Sequence, residues 1–443
     1  LNTVLALATL VIMINSKSRT NQKLPFSLIF SGILAMLMLI WFSQETYKQP
    51  LVFENVQERT VNAMMDFRFK RNTIDYLTEG NLWDVKTRND SDEIALNIAL
   101  EQPTSMYLKG FVGETYLDGE WSPLHKEIYA TEYNRLHALE KNNFTAALQL
   151  STPMNMDSTN VKIQIVNASK KYAYLPYELA SFSSKNFQTN DFSTYTANSF
   201  FGTEQLSFEI MPTIEKSFPI IAETIYDNAQ EQSISSYLIN ESFYNEYVYK
   251  YETLLDEDTK LLLSQHVENI DVQTERLEYK QAIDYVQKFL ENNLTYNENI
   301  EPLTSDKDYL QYLLEQNNAG YAPHYATVAT LLFRFLQIPA RYVEGYIISS
   351  QDVKGMEGFS EVSITGKNAH SWTEIYIDAI GWVPIETTPP YLELMPQIMA
   401  PKYSEEMQKV KPQFNSIENQ TIDDTPQYVR EDEIEHLTES TLK

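Results

Sequence analysis

Short alternations of apolar and polar residues dominate the chain between about residues 92 and 206. They include the runs 105–121, 161–167 and 171–179, which are rich in Tyr, Val and Phe and are separated by turn residues. Alternation with a period of two is typical of half-buried strands. The pair Asp118-Gly119 suits a tight hairpin connection. We therefore expect an all-β region, organised as a sandwich, in this part of the chain.

The spacing of apolar residues becomes helical further on. Residues 274–296 form one such pattern, and the positions that share a face are Ala282, Tyr285, Val286 and Leu290. Residues 324–337 form a second, more apolar pattern. Pro323 stands where the first helical turn begins, a position that proline favours, and Pro339 ends the pattern. The sequence therefore predicts two helices, the second of them buried.

Two strands are predicted after the second helix. Alternation in residues 368–376 puts one set of side chains on a single face, namely His370, Trp372, Glu374 and Tyr376. A turn between Asp378 and Gly381 leads to a further strand over residues 381–388, which contains Glu386. The elements predicted after the all-β region are thus helices followed by strands.

Two apolar runs stand near the beginning of the chain, at residues 1–14 and 24–44. The second run is uncharged and long enough for a transmembrane helix, which needs about 20 residues. The first is shorter, and since the chain starts within it, we expect this segment to be incomplete. A basic loop separates them, with Lys17, Arg19 and Lys23. The positive-inside rule places that loop in the cytoplasm, so we expect the soluble part outside the cell membrane.

Composition narrows the function further. The net charge is −27 and the isoelectric point is about 4.6, a balance that disfavours nucleic acid and anionic lipid as partners. The chain contains no cysteine, which excludes disulfides and thiolate metal sites. Its six histidines form no HExxH or similar motif, so we expect neither a metal nor another cofactor.

A group of motifs lies between residues 320 and 391. It begins with GYAPHYATVATLLFRFLQIPARYVEGY and continues, after a polar loop, with NAHSWTEIYIDAIGWVPIETTPPY. This region resembles the bacterial transglutaminase-like family, and the resemblance implies an α+β domain with the papain-like fold that carries cysteine acyl-transfer chemistry. The matching motifs are GYC-x-H-Y-A, IPAR-Y-V-x-GY, A-H-x-W-x-E and GW-x-P-x-[DE]-x-TP. A weaker likeness lies upstream, in the stretch YLKGFVG-x-x-Y-x-x-G-x-W.

The resemblance implies a catalytic triad with one member missing. In the family, Cys, His and an acid follow one another along the chain, and His370 and Glu386 fall on the second and third positions. The nucleophile position is Ala322. In the family the His accepts the thiol proton, and the acid holds the His ring in one tautomer. The place of Ala322 at a helix N-terminus would lower the pKa of a thiol there.

Three other residues are expected at the site or its wall. Trp372 is expected to shield the site, and His324 to assist by packing or a polar contact. Tyr296 is a candidate oxyanion donor beside the backbone N–H of residue 322. Arg341, by contrast, is expected to hold structure. None of the nearby hydroxyls suits the role of a substitute nucleophile, the candidates being Tyr321, Tyr325 and Thr327.

Two explanations of Ala322 stay open: an engineered change from Cys, or natural loss, which the form of the chain ends favours. The corresponding function classes are a noncatalytic protein that binds a peptide or cell-envelope substrate, and an inactive form of a transglutaminase or cysteine protease. A purely structural envelope protein is a third, weaker option. The expected organisation is transmembrane segments in 1–44, a stalk in 45–90, an extracellular β-rich domain with a helical connector in 91–265, a transglutaminase-like domain in 266–395, and an acidic flexible tail in 396–443.

Overall fold

The structure is a computed structural model, and it describes residues 64, 68–69, 74–88, 91–137, 157–211, 232–267, 277–300 and 308–397. The chain divides into two units, Leu1–Met65 and Asp66–Lys443, and all elements given below belong to the second. The expected transmembrane segments in 1–44 and the tail beyond residue 397 lie outside the described residues. Within those residues, none of the helices is both long and apolar enough to cross a bilayer.

The strands of the described residues, in chain order, are β1 Ile94–Leu100, β2 Met106–Gly113, β3 Thr115–Leu117, β4 Glu120–Ser122, β5 Thr159–Ile165, β6 Leu179–Phe182, β7 Phe187–Gln188, β8 Thr196–Ala197, β9 Gln205–Ile210, β10 Thr295–Tyr296, β11 Ala319–Gly320, β12 Ala340–Ile348, β13 Ser360–Thr365, β14 Ala369–Ile377 and β15 Gly381–Ile385. The helices are α1 Lys126–Thr131, α2 Tyr133–His137, α3 Gln232–Tyr251, α4 Glu257–His266, α5 Tyr279–Asn293, α6 Tyr309–Tyr312 and α7 Ala322–Phe335.

Local sequence explains several of these elements. The expected hairpin is confirmed: β3 pairs with β4 around Asp118 and Gly119, whose φ angles are 40° and 80°, as a tight two-residue turn requires. The predicted amphipathic helix is α5, with Ala282, Val286 and Leu290 buried. The buried helix is α7, which begins at Ala322, so that Pro323 lies in its first turn as the sequence indicates. It ends at Phe335, and Gln337 turns the chain with a φ of 60°.

Two larger sheets form the β structure, and they exchange strands. One has the order β13-β1-β5-β9-β6 and the other has the order β15-β14-β12-β2. Strand β2 comes from the upstream region, residues 91–265, yet it pairs antiparallel with β12. Strand β12 lies in residues 266–395, where the resemblance predicts the transglutaminase-like region. Conversely, β13 comes from the transglutaminase-like region and pairs with β1.

This exchange differs from the all-β sandwich that the sequence predicted over roughly residues 90–215. The alternation upstream did predict strands, but the partner of a strand is set by long-range packing that alternation does not encode. The buried apolar side chains of both regions belong to one continuous core. The fold is therefore α+β, with a sheet-rich region upstream that completes the sheet of the transglutaminase-like region.

The four-stranded sheet is buried on both faces where it carries the candidate site. Every residue of β12 and β14 is buried. Gly345 of β12 lies opposite His370 of β14, and a Cβ at Gly345 would come within 2.1 Å of the Leu108 carbonyl oxygen in β2. Glycine at this position thus allows β2 to approach closely at the level of His370.

Candidate functional site

The nucleophile position lies at the start of α7. Ala322 is the first residue of the helix, Tyr321 is its N-cap, and Pro323 occupies the first turn. The side chain of Ala322 is 1% exposed. Unpaired backbone N–H groups at this end would stabilise a negative charge. The local fold therefore provides the environment of a thiolate, but the residue present has no ionisable group.

His324 caps the same helix. Its Nδ1 accepts a hydrogen bond from the Tyr321 N–H at 3.3 Å. Burial lowers the pKa of His324 to about 4. The imidazole is therefore neutral at physiological pH. The expected polar contact is present, and it serves the helix start.

His370 and Glu386 form a buried pair. His370 Nε2 donates to Glu386 Oε2 over 2.9 Å, and both side chains are shielded from solvent. Glu386 directly follows β15, which ends at Ile385 rather than continuing to residue 388 as predicted. Its Oε1 accepts the backbone N–H groups of Thr387 and Thr388. The chain turn after β15 thus fixes the carboxylate against the imidazole.

The electrostatics favour an ionised carboxylate. Burial by itself would raise the pKa of Glu386, but attraction to His370 and hydrogen bonds from His370, Thr388 and Tyr107 hold that pKa below its ordinary value. The Tyr107 hydroxyl donates to Glu386 Oε2 at 2.9 Å. Tyr107 belongs to β2, so the sheet-rich upstream region supplies a residue of the site that sequence reasoning missed.

The second ring nitrogen of His370, Nδ1, has no hydrogen-bond partner among the described residues. His370 is fully buried, and its Nδ1 lacks a hydrogen bond to any described group. Because Nε2 carries the proton shared with Glu386, Nδ1 is left as the acceptor. Buried polar nitrogens are nearly always hydrogen-bonded, so this one requires an explanation. A neutral imidazole held in this tautomer is able to accept a proton from a nucleophile.

Aromatic rings enclose His370. The Trp372 ring lies 6.2 Å from it, with 16° between the planes, and Trp372 Nε1 donates to the Tyr177 hydroxyl at 2.8 Å. The Tyr391 ring lies 4.1 Å from His370. Trp372 thus lies beside the imidazole, as the expected site wall. Tyr391 was quoted in the motif, but no role was predicted for it.

Tyr76 connects the two halves of the site. Its ring meets that of Tyr321 edge-on at a centroid distance of 4.9 Å, and its hydroxyl donates to the Ala369 carbonyl oxygen at 2.9 Å. Tyr321 directly precedes Ala322 in the chain, and Ala369 directly precedes His370. The nucleophile position and the histidine are therefore each adjacent in sequence to a residue that contacts Tyr76. A tyrosine in a polar stretch gave no signal for this position.

Tyr296 of β10 lies opposite Gly320 of β11, two residues before Ala322, and its role as an oxyanion donor stays a prediction. Its hydroxyl donates to Glu298 and lies 3.4 Å from an Arg88 guanidinium nitrogen, while its ring is 6.4 Å from that of Tyr325. Burial raises the pKa of Tyr296, and the hydrogen bond to Glu298 adds to this effect. The hydroxyl thus belongs to a polar group at the rim of the site.

The three hydroxyls weighed as substitute nucleophiles are engaged elsewhere. Thr327 Oγ1 accepts from Trp121 Nε1 at 3.0 Å. The Tyr325 hydroxyl donates to the Leu294 carbonyl oxygen at 3.1 Å, and the Tyr321 hydroxyl donates to that of Lys86 at 2.8 Å. In the described part of the chain, no group of His, Cys, Asp and Glu side chains is arranged to hold a metal ion.

Comparison with known proteins agrees with this site. The sequence model of the transglutaminase-like superfamily matches residues 266–387, which include Ala322, His370 and Glu386. Together with the fold described above, this match identifies a transglutaminase-like α+β domain in the chain. The absence of cysteine from the whole sequence is consistent with a site that lacks its nucleophile.

Individual relatives resemble parts of the chain. The uncharacterized protein YebA of Bacillus subtilis (strain 168) is 36% identical over 98 residues, which are 22% of this chain and 13% of YebA. The chain thus matches a small part of that relative. The periplasmic domain of TgpA from Pseudomonas aeruginosa is 14% identical with a TM-score of 0.43, and the match covers 68% of this chain and 88% of that one. A putative cysteine protease from Cytophaga hutchinsonii is 14% identical with a TM-score of 0.18, and that match covers 69% of this chain and 81% of the other.

Proposed function

We propose that this protein is a membrane-anchored, extracellular transglutaminase-like protein that binds a peptide or cell-envelope amide without transforming it. One observation carries the proposal: His370 is held by Glu386 in an acyl-transfer arrangement, while its Nδ1 has no partner and residue 322 has no thiol. The base is assembled, and the group it would deprotonate is missing. Family chemistry on amide bonds supplies the class of ligand.

The same observation supports a second candidate, an inactive form of an active transglutaminase or cysteine protease. Retention of the complete His370–Glu386 pair, with Tyr107 and two backbone N–H groups on the carboxylate, is what a single change from Cys to Ala would leave. The gene decides between the two candidates, because a cysteine codon for residue 322 would exclude natural loss.

The assembled site is tested by Ala322→Cys in the full chain. Since the sequence has no cysteine, the introduced thiol is the only one. We expect alkylation by iodoacetamide to be half-maximal below about pH 7.5, whereas an ordinary thiol has a pKa of about 8.5. In the double variant with His370→Ala, the rate at pH 7 should fall by about tenfold or more, because the thiol loses the imidazole that accepts its proton and the thiolate loses the resulting imidazolium.

A matched control carries the thiol at another buried alanine, Ala197 of β8 (Ala197→Cys), where no histidine is expected to assist. An ordinary pH profile for Cys at 322, unchanged by His370→Ala, would contradict the proposal of an assembled site. Binding is tested separately on the unaltered chain, by titration with fluorescent glutamine-containing peptides. Failure to bind any amide ligand would favour the structural alternative.

A further inference from the structure

The site is closed in this structure, although the proposed function requires access to it. Ala322, His370 and Glu386 are at most 2% exposed. Tyr76 contributes to this closure, because it contacts Tyr321 on one side and the Ala369 carbonyl oxygen on the other. A peptide that reaches His370 between the start of α7 and the start of β14 therefore has to displace this side chain.

Arg88 lies over the rings that cover the site. Its guanidinium carbon is 5.5 Å from the centroid of the Tyr76 ring and 5.9 Å from that of Tyr391. Tyr391 is in turn the ring that lies 4.1 Å from His370. Cation–π contacts of this kind stabilise the facing rings, the more so when the cation is partly desolvated. The Arg88 side chain is only 6% exposed.

Arg88 is itself tied to two separate parts of the chain. One guanidinium nitrogen binds Glu298 at 2.9 Å, and the other donates to the Lys367 carbonyl oxygen at 3.0 Å. Its backbone N–H donates to the Glu298 carbonyl oxygen at 2.8 Å. Lys367 lies three residues before His370, so Arg88 joins the histidine side of the site to the segment around Glu298.

The backbone between Tyr76 and Arg88 is anchored. Leu82 and Val85 are 1% and 4% exposed, and the Glu79 and Gly80 N–H groups both donate to the Glu344 carboxylate. Movement of this whole segment would expose buried apolar surface and leave Glu344 without these donors. Opening by side-chain rotation at Tyr76 and Arg88 requires neither.

We propose that Tyr76 and Arg88 form a side-chain gate over the site, with Tyr76 as the occluding ring and Arg88 as the residue that holds it. This inference rests on the proposed function, since it assigns the cleft between α7 and β14 to a peptide. The ligand class follows from the closed state: a peptide N–H that donates to the Ala369 carbonyl replaces the Tyr76 hydroxyl there. An extended peptide is therefore the ligand that the gate admits.

The test uses the full chain with Ala322→Cys and two alkylating reagents, iodoacetamide and the much larger fluorescein-5-maleimide. Arg88→Ala should accelerate the reaction with the maleimide by about tenfold, because it removes a charge-assisted pair and two ring contacts from the closed state. The reaction with iodoacetamide should accelerate less. Tyr76→Phe keeps the ring but loses the bond to Ala369, so we expect a smaller gain, of about threefold.

Arg135→Ala is the matched control, since Arg135 also pairs with carboxylates but does so at Glu132 and Glu246, away from the site residues. Thermal melting first checks that Arg88→Ala and Tyr76→Phe are folded. The gate is refuted if these two variants raise the ratio of the maleimide rate to the iodoacetamide rate no more than Arg135→Ala does. Failure of the proposed function looks different: iodoacetamide alone would then show an ordinary thiol pH profile that is independent of His370.

Discussion

Two buried polar residues of strand β14, Glu374 and His370, differ in how completely their polar atoms are hydrogen-bonded. Glu374 Oε2 accepts hydrogen bonds from Lys109 at 3.2 Å and from the Tyr177 hydroxyl, and its Oε1 accepts one from Arg341. His370, nearer the start of the strand, has a hydrogen bond to Glu386, and its Nδ1 is unpaired among the described residues. Three residues of a single strand separate a saturated cluster from an incomplete one.

The saturated end has the electrostatics of a structural site. Burial would raise the pKa of Glu374, but Arg341 and Lys109 hold it below its ordinary value. Arg341 also pairs with Asp191 at 2.6 Å, so each charge has an opposite neighbour. This confirms that Arg341 holds structure. Full pairing is what a buried charge needs in order to be stable.

The difference shows how a buried polar group indicates chemistry. Full burial alone does not, because Glu374 and His370 are both inaccessible to solvent. The unpaired nitrogen does, since Glu374 is paired at both of its oxygens, whereas His370 Nδ1 has no hydrogen bond to any described residue. The incomplete end is therefore the one that supports a functional proposal.

The largest expected effect comes from breaking the saturated end. Arg341→Met leaves the carboxylates of Asp191 and Glu374 buried with fewer cations, and we expect it to lower the free energy of unfolding by about 3–5 kcal/mol. Urea unfolding measures this. Lys280→Ala is the control, because the pair Lys280–Asp284 is exposed and should contribute about 0.5 kcal/mol or less. Equal effects of the two variants would contradict the distinction drawn here.

The pH dependence of the free energy of unfolding tests His324, which lies in α7 on the nucleophile side of the incomplete site. His324 has a folded pKa of about 4 and an ordinary value of 6.5. The unfolded chain thus binds a proton at higher pH than the folded one does. The stabilising contribution of neutral His324 is complete above pH 6.5 and is lost as the pH falls towards 4, by about 3 kcal/mol. His324→Gln should flatten this dependence in urea unfolding between pH 4 and 6.5.

Glu344 provides the control of opposite sign. Burial raises its pKa to about 7, although hydrogen bonds from Gly80, Tyr342 and Glu79 oppose this effect. The folded state therefore holds the proton more tightly, and stability falls as the pH rises from about 4.5 to 7. Glu344→Gln should remove that fall and leave the His324 effect more visible. An unchanged pH dependence in both variants would refute these assignments.

The smallest effects come from two tyrosines of the upstream region. Tyr107→Phe removes a donor from Glu386, and Tyr177→Phe removes one from Glu374. Each should lower the free energy of unfolding by about 1.5–3 kcal/mol, as expected for hydrogen bonds to charged groups. Only Tyr107→Phe should alter the alkylation of Cys at 322, moving its acid limb to higher pH. Identical profiles for both variants would remove Tyr107 from the site.

The sequence predicted the parts of the site that lie within local motifs. His370 and Glu386 were assigned from their flanking residues, and the start of α7 from Pro323, because short motifs and helix starts depend on nearby residues. Tyr76, Arg88 and Tyr107 were missed. Each reaches the site from far along the chain, and alternation shows which face of a strand is buried but not what covers it.

The exchange of β2 and β13 between the two sheets has a consequence for how the chain folds. Strand β2 cannot find its neighbour until β12, more than two hundred residues later, has been synthesised, and β1 waits likewise for β13. Pairing across such sequence distances makes folding slow, because the entropy of closing a long loop is lost before any contact compensates for it. Strand β2 and the outer edge of β1, whose other edge pairs with β5, therefore remain unpaired until late in folding, and a shortened chain that ends before β12 should aggregate instead of forming a stable domain.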